Sequence, residues 1–557
     1  MKPGNADIKL PWELARCQHW PVLAQAFLLT GKDDFAKEIL DELEDFMEAN
    51  PVEIGIHWTC TMDVAIRAAN WGVALELIRS CDGIEPEHWK SAYNALFAHG
   101  VFIYENLENH YEVTSNHFLS NVLGLFFLAG VFKDLPQGRL WNTFCRESLE
   151  REINVQILED GADFESSVPY HRLVTELFLS GYRLAELYGS PLSDEYRSRL
   201  YRMVDFLSGV LRPDGLMPQA GDADDGRLHI FSNYANWNPQ DPRHIFAPAS
   251  RILDAPEFLA FTDSSSLWEN CWWGIELSES DASESSSGRL PARAEHFPQS
   301  GLTSIREGGD YLLITNAKVG TEGFGNHKHN DQLAFEYHAK GQPLLVDPGS
   351  HVYTSNPDSR NLFRSTGYHN TLCIDGVEQN ELNPEWLFRL VENANAETVE
   401  FEINDHYYEY VGRHSGYDRL ENPVIHERRF RLIRETWSLM ILDQLSGSGS
   451  HTLNWHFHAA PGVKLSNSGG DRLLIESASV SYVLRYPDAL ECKIDDEWYS
   501  PSYGVRQPCQ AANLKHKTTL NLSDRLFILA PEALADEDLE QMKIEFSSCQ
   551  EQHRNRR

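Results

Sequence analysis

Long apolar runs are missing from this 557-residue chain: no stretch approaches the roughly 18 residues that a membrane span needs. The first seven residues, Met1 to Asp7, hold no apolar core of the signal-peptide kind either. The sequence as it stands therefore predicts a cytoplasmic protein, or a secreted or periplasmic one if a leader has been removed. Basic residues are scarce, with 48 Lys and Arg against 83 Asp and Glu and a formal charge of −35. That field repels nucleic acid and anionic membranes unless a local basic cleft overrides it, so neither is an expected partner, and an acidic substrate would need a focused site. The bland meaning of such charge is solubility. Paired C-x-x-C motifs are absent as well. Nine scattered cysteines, an odd number, read as reduced and mostly buried thiols and not as a disulfide framework or a cysteine metal cluster.

What is present is enough apolar residue, 42%, for more than one core. From Pro11 to about Tyr201 the apolar spacing is helical and comes in blocks: Leu14–Leu29, Phe35–Met47, Met62–Ile78, Trp89–Tyr104, Phe118–Phe132, Trp141–Ile157, Val174–Tyr188 and Tyr196–Leu211. Short connections bearing Gly, Asp or Pro suit antiparallel helical hairpins. Trp20, Trp58, Trp71 and Trp89 fall in or beside these blocks, where core packing is the ordinary reading and sugar stacking the alternative. A Ser- and acid-rich stretch, 278–296, reads as a linker. Beyond it the period becomes two, in Tyr311–Thr315, Arg429–Ile433, Ser438–Leu442, Thr452–His458 and Val480–Tyr486, which predicts antiparallel sheets stacked face to face with almost no helix. The expected organisation is α+β in two domains: helical over 1–277 and antiparallel β over 297–557.

Chemistry concentrates in three separated segments. Thr114-Ser115-Asn116-His117 precedes a helix, where Ser115 or Asn116 could simply cap it. Phe164-Glu165-Ser166-Ser167-Val168-Pro169-Tyr170-His171 is a polar loop entering the next helical block, and a buried structural phenol is the commoner fate of such a tyrosine. Gly325-Asn326-His327-Lys328-His329-Asn330-Asp331 puts two imidazoles two residues apart, so that on extended backbone both point to one side; one ring can serve a metal while the other moves protons. Asp347 and His369 complete a His/Asp/His set with His329. His456 and His458 alternate along a strand, where lining the core or a cleft is the ordinary reading. The acids Glu159, Asp160, Asp163 and Glu165 would be the source of a glycosidase pair.

Taken in order, Pro11-Trp12-Glu13-Leu14, Asn116-His117, Phe164 to His171, His327 to Asp331, Leu345-Val346-Asp347-Pro348-Gly349 and His369-Asn370-Thr371 resemble the heparinase II/III-type polysaccharide lyases over most of the chain. The resemblance implies an N-terminal incomplete (α/α) toroid followed by an antiparallel β-sandwich. It implies β-elimination at a uronic acid of a glycosaminoglycan of the hyaluronan, chondroitin or heparan type, with alginate or a bacterial exopolysaccharide as the alternative. In that chemistry the C5 proton is removed and the C4 oxygen expelled, so donors on the uronate carboxylate stabilise the enolate-like transition state. The resemblance assigns that task to Asn116 and His117, proton delivery to Tyr170, and base or polarising duty to His327. His171, Arg360, Arg364 and His458 are the expected substrate contacts. His329, Asp347 and His369 are the expected ligands of one divalent metal, zinc or else manganese, with a mainly structural role. A hydrolase on the same scaffold and an inactive sugar-binding protein are the rival readings.

Overall fold

The computed structural model describes residues 7–110, 112–263, 265–276 and 289–554. Up to Val210 it is a succession of helices: α1 (Lys9–Leu14), α2 (Trp20–Thr30), α3 (Asp33–Ala49), α4 (Thr61–Leu77), α5 (Pro86–Glu105), α6 (Asn116–Val131), α7 (Pro136–Gln156), α8 (Val168–Leu187) and α9 (Asp194–Val210). The block expected over Leu14–Leu29 is split, because the chain turns between α1 and α2 with Cys17 at a left-handed φ of 52°. Even-numbered helices pack in series, α2 on α4, α4 on α6, α6 on α8, and α8 on α10 (Arg243–Ile252). α3, α5, α7 and α9 lie outside them as the returning arms of hairpins. The burial follows this layering: α4, α6 and α8 are buried on almost every face, whereas α3 keeps one apolar stripe of Ala36, Ile39, Leu40 and Leu43. This double layer is an incomplete (α/α) toroid. α4 and α6 touch backbone to backbone, since a Cβ on Gly124 would fall 2.4 Å from the Ala65 carbonyl oxygen. Trp20 and Trp71 stack at 4.9 Å inside this core, so they pack and do not present sugar platforms.

The β half holds two antiparallel sheets. The first is a meander of β1 (Arg293–Phe297), β2 (Leu302–Glu307), β3 (Asp310–Thr315), β4 (Ala334–Ala339) and β5 (Gln342–Leu345). β1 begins inside the stretch expected to be linker; the Ser-rich part of that stretch, 277–288, lies outside the described residues. The second comprises β6 (Leu372–Ile374), β7 (Glu397–Ile403), β8 (Tyr407–Tyr417), β9 (Val424–Ile433), β10 (Ser438–His458), β11 (Lys464–Asn467), β12 (Arg472–Glu476), β13 (Ser481–Arg485), β14 (Glu491–Tyr499) and β15 (Gln507–Pro531). Its order is β11-β12-β13-β15-β10-β9-β8-β7, with β14 added to β15 and β6 to β10. Two strands expected separately, Ser438–Leu442 and Thr452–His458, are the ends of the single strand β10. The sheets share one core, in which Phe335 meets Phe430 at 5.6 Å and Phe457 at 6.4 Å.

The helices Pro357–Phe363 and Asp536–Arg554 of the β half were not expected; the latter returns over the outer face of the larger sheet, where Leu539 and Phe546 cover Met440, Leu442, Ile528 and Ala530. Its sequence is dominated by charge, and Met542 packs beside these apolar positions. No helix among the described residues is long and apolar enough to cross a membrane. The halves are joined tightly. Tyr311 of β3 donates to the Val210 carbonyl at 2.7 Å, and buried Arg306 of β2 donates to the Ser208 and Leu211 carbonyls at the end of α9. An irregular segment, 215–230, runs between them and carries Asp222.

Candidate active site

The first side chains of the site are placed by helix N-termini. Ser115 caps α6, its oxygen accepting from the His117 amide at 3.4 Å, and this sets Asn116 and His117 in the first turn. Ser167 caps α8 by accepting from the Tyr170 amide at 3.2 Å, with Pro169 preformed for the first turn. The Ser167 hydroxyl also donates to the Asp222 carbonyl at 2.6 Å. The Asp222 amide in turn donates to the His327 carbonyl at 3.0 Å. Gly221 makes that junction possible: it has φ of 78°, and a Cβ there would sit 2.7 Å from the Ser166 oxygen and 2.9 Å from the His327 oxygen. Three segments far apart in sequence are thus drawn together.

His327 occupies the centre. Its ring lies on that of Tyr170 with centroids 3.6 Å apart and planes 19° from parallel. Nδ1 is 3.0 Å from Asp222 Oδ2 and Nε2 is 3.2 Å from Glu165 Oε2. Although burial opposes the charge, the two carboxylates hold the His327 pKa above its ordinary value. Burial pushes the Tyr170 phenol well up, and Asp224 and Asp222 add to it, so its proton is firmly held. The hydroxyl of Tyr170 meets that of Tyr353 at 3.2 Å. Asn116 is fully buried; its backbone and side-chain N–H groups donate to Glu165 at 2.8 and 2.9 Å, while its carbonyl oxygen has no hydrogen-bond partner. Glu165 also accepts from Asn326 at 2.8 Å. Beside it, the His117 side chain is 43% exposed and its Nδ1 lies 2.9 Å from Glu108. Desolvation opposes its charge, but Cys60 and Glu108 keep the His117 imidazole well above its ordinary pKa.

Asp222 joins this cluster to the expected metal ligands. Its Oδ1 is 2.9 Å from His329 Nε2, and the Arg360 guanidinium grips both of its oxygens. Burial alone would raise the Asp222 carboxyl; Arg360, His327 and His329 drive it far below the usual carboxylate range. Of the expected ligands, His329 Nδ1 and His369 Nε2 are buried without a hydrogen-bond partner, His369 Nδ1 is 3.0 Å from Asp347 Oδ2, and one ligand atom from each of the three residues lies within 4.8 Å of the others. Burial takes His329 down to about 4, which keeps its ring neutral. Orphaned lone pairs beside a buried carboxylate are what a divalent cation requires, so the residues fit one.

The four expected substrate contacts are all buried. Arg360 and Arg364 are fully buried. Besides gripping Asp222, Arg360 donates to the Leu387 carbonyl at 3.1 Å, and Arg364 donates to the carbonyls of Trp386 at 2.8 Å and Arg389 at 3.2 Å. They brace the 383–389 loop from behind. His171 is buried against the Asp163 amide and the Met203 carbonyl, and burial brings it to about 4. His458 is fully buried with Nε2 3.2 Å from the Cys509 sulfur. The acidic run offers no free pair: Glu159 binds Arg199, Asp160 accepts from the amides of Gln299 and Ser300, and burial, with Glu165 beside it, pushes the Asp163 carboxyl well above the usual carboxylate range. Glu165 and Asp222 straddle His327 and are occupied by it.

Asp222, Tyr353 and the bracing carboxylate Glu108 escaped sequence reasoning. The run Gly221-Asp222-Ala223-Asp224-Asp225 was the available signal, since acids beside a glycine within an otherwise apolar region are costly to bury without partners.

Residues 1–244 match the family described as Heparinase II/III N-terminus, and residues 289–543 match Heparinase II/III-like, C-terminal. The chain is 22% identical over 533 residues to a heparin-sulfate lyase of Bacteroides stercoris, covering 90% of this chain and 72% of that one. It is 23% identical over 388 residues to the heparin-sulfate lyase of Pedobacter heparinus, covering 66% of this chain and 52% of that protein. Among solved structures, a heparinase III superposes with a TM-score of 0.76 at 16% identity, over 95% of this chain and 78% of that one, a likeness of fold.

Proposed function

The chain belongs to the heparinase II/III family, and from that premise we propose that it is a polysaccharide lyase that cleaves a uronate-containing glycosaminoglycan, of the heparan sulfate type first, by β-elimination. The observation that carries this reading is the stack of Tyr170 on His327 beside Asn116 and His117. A protonated phenol and an ionisable imidazole lie face to face, and Glu165 links the imidazole to Asn116.

The roles follow from protonation. Tyr170 keeps its proton in the resting site, so it is the acid that delivers a proton to the departing C4 oxygen. His327 is the base for the C5 proton, and it becomes competent when it releases the Nε2 proton held against Glu165. Nδ1, turned to Asp222, stays protonated, which leaves Nε2 to take the substrate proton. The His117 imidazolium, half open to solvent at the N-terminus of α6, receives the uronate carboxylate and stabilises the charge that develops on it, while Asn116, its N–H groups spent on Glu165, holds the Glu165 carboxylate in place beside His327. A zinc ion held by His329, Asp347 and His369 would supply a fixed charge that keeps His329 on Asp222, and Asp222 on His327.

Anionic substrate needs an exposed cation, and the buried Arg360 and Arg364 point to it indirectly. The loop they brace presents Arg389, exposed, with its guanidinium 5.3 Å from the ring centres of both Phe324 and Trp386. The neighbouring Phe388 ring reaches His327 at 6.5 Å. A guanidinium held between two exposed rings suits a sulfated or carboxylated sugar.

The test incubates purified protein with heparan sulfate, chondroitin sulfates, hyaluronan and alginate and follows ultraviolet absorbance of the C4–C5 double bond. Absorbance that rises on heparan sulfate and vanishes in Tyr170→Phe supports the reading. New reducing ends without absorbance would overturn it in favour of a hydrolase.

A further inference from the structure

A second cluster lies in the larger sheet, where the His458 amide donates to Asn370 at 2.6 Å, one residue from the expected ligand His369. β10, β15 and β14 run side by side, and their register places His456 opposite Asn513, and Glu497 opposite Cys509. His456 and His458, two apart on β10, turn to the same face and are 1% and 0% exposed. His456 Nε2 is 3.3 Å and His458 Nδ1 is 3.2 Å from one and the same oxygen, Glu497 Oε2. None of the three atoms makes a hydrogen bond, because the N–H directions miss the oxygen, although all three are buried. Three buried polar atoms left without partners at such short range are costly in a protein interior.

The spacing matches another arrangement. Ligand bonds of about 2.0–2.1 Å around a tetrahedral zinc put neighbouring ligand atoms about 3.3 Å apart. The other ring nitrogens are already committed: His456 Nδ1 meets Asn513 Oδ1 at 3.2 Å, and His458 Nε2 meets the Cys509 sulfur at 3.2 Å. Asn513 is itself oriented by Asp495, which accepts from its Nδ2 at 3.1 Å. With those outer nitrogens protonated, each inner nitrogen directs a lone pair toward the Glu497 oxygen, and two lone pairs cannot hold a carboxylate without a cation between them. We propose that His456, His458 and Glu497 form a second divalent-metal site of zinc type, distinct from His329, Asp347 and His369. Glu497, whose side chain is 15% exposed, is the entry side.

The site has a structural consequence. It ties β14 to β10 directly across β15, and the chain leaving β14 at Tyr499 crosses to the helical half. There the Tyr503 amide donates to Asp225 at 2.8 Å, and the Tyr503 hydroxyl accepts from the Tyr353 amide at 3.2 Å. A cation at Glu497 therefore steadies the loop that holds Tyr353 against Tyr170.

The test strips the full chain with a strong chelator, titrates it with zinc alone and measures bound metal after dialysis. Glu497→Gln and His456→Asn should each bind one equivalent fewer than the unsubstituted chain, with unchanged circular dichroism. Metal content unaltered by both substitutions would overturn the proposal. Should both fail to fold, cobalt added to His369→Ala decides instead: ligand-field absorption that persists there supports the second site, and its absence overturns it.

Discussion

The imidazole of His327 lies face to face with the phenol of Tyr170, centroids 3.6 Å apart, while its two nitrogens are held by Asp222 and Glu165. The acid and the base of the proposed elimination are in contact before substrate arrives. Their protonation is set by burial and by the surrounding carboxylates, so each prediction below tests a particular contact.

Tyr170→Phe removes the acid and little else, because the hydroxyl contacts Tyr353 alone among the described hydrogen bonds. Turnover should fall by about 10²–10⁴ with KM and thermal unfolding nearly unchanged. A variant that keeps a tenth of the activity would remove Tyr170 from the chemistry.

The His327 pKa is raised in the folded chain, so its ion pairs stabilise fully below the unfolded value of about 6.5 and lose that effect as pH rises through the native value. The same titration frees the base. Activity should rise with pH above about 6.5 while the stability difference between the unsubstituted chain and His327→Gln shrinks. Paired pH profiles of kcat/KM and urea unfolding check this, and an acidic limb lying below 6.5 contradicts it.

Asp222→Asn leaves Arg360 buried without its anion. The loss should be about 3–5 kcal/mol near pH 7. Because the Asp222 pKa is depressed, that stability is present above the unfolded value near 3.9 and fades as pH falls through the native one. Urea denaturation at pH 7 giving a difference below about 1 kcal/mol would show that Asp222 is not the hub of the cluster.

Arg389→Ala should raise KM for sulfated substrate about tenfold, equivalent to about 1.4 kcal/mol of lost binding, with kcat preserved. Initial-rate kinetics on heparan sulfate at two salt concentrations would reveal it. An unchanged KM would place substrate elsewhere.

Chelation should lower the melting temperature, and zinc should restore it. At a zinc concentration 100 times Kd the linkage is about 2.7 kcal/mol. His369→Ala should lose the part of the response that belongs to His329 and Asp347; a response identical to that of the unsubstituted chain would deny these residues a metal.

Legibility in the sequence differed by feature. The helical blocks were readable because an amphipathic or buried helix declares itself locally, through apolar spacing and a cap such as Ser115. The helix Asp536–Arg554 was not, since few apolar positions interrupt its charge. Tyr170, His327, His329 and Asp347 stood out as residue types in a suggestive order. Arg360 and Arg364 were misplaced because a sequence shows that a cation exists but not which way it faces, and both turned inward to brace a loop.

By itself the sequence determined the helical half followed by the β half, the family, and the residues able to move a proton or hold a cation, because period and residue chemistry are local properties. Only the tertiary structure decided that His327 sits between Asp222 and Glu165, that Tyr353 meets Tyr170, and that Arg389 is exposed between Phe324 and Trp386. Protonation and exposure depend on distance and desolvation among segments separated by a hundred residues or more, and the packing of the toroid against the sandwich sets both.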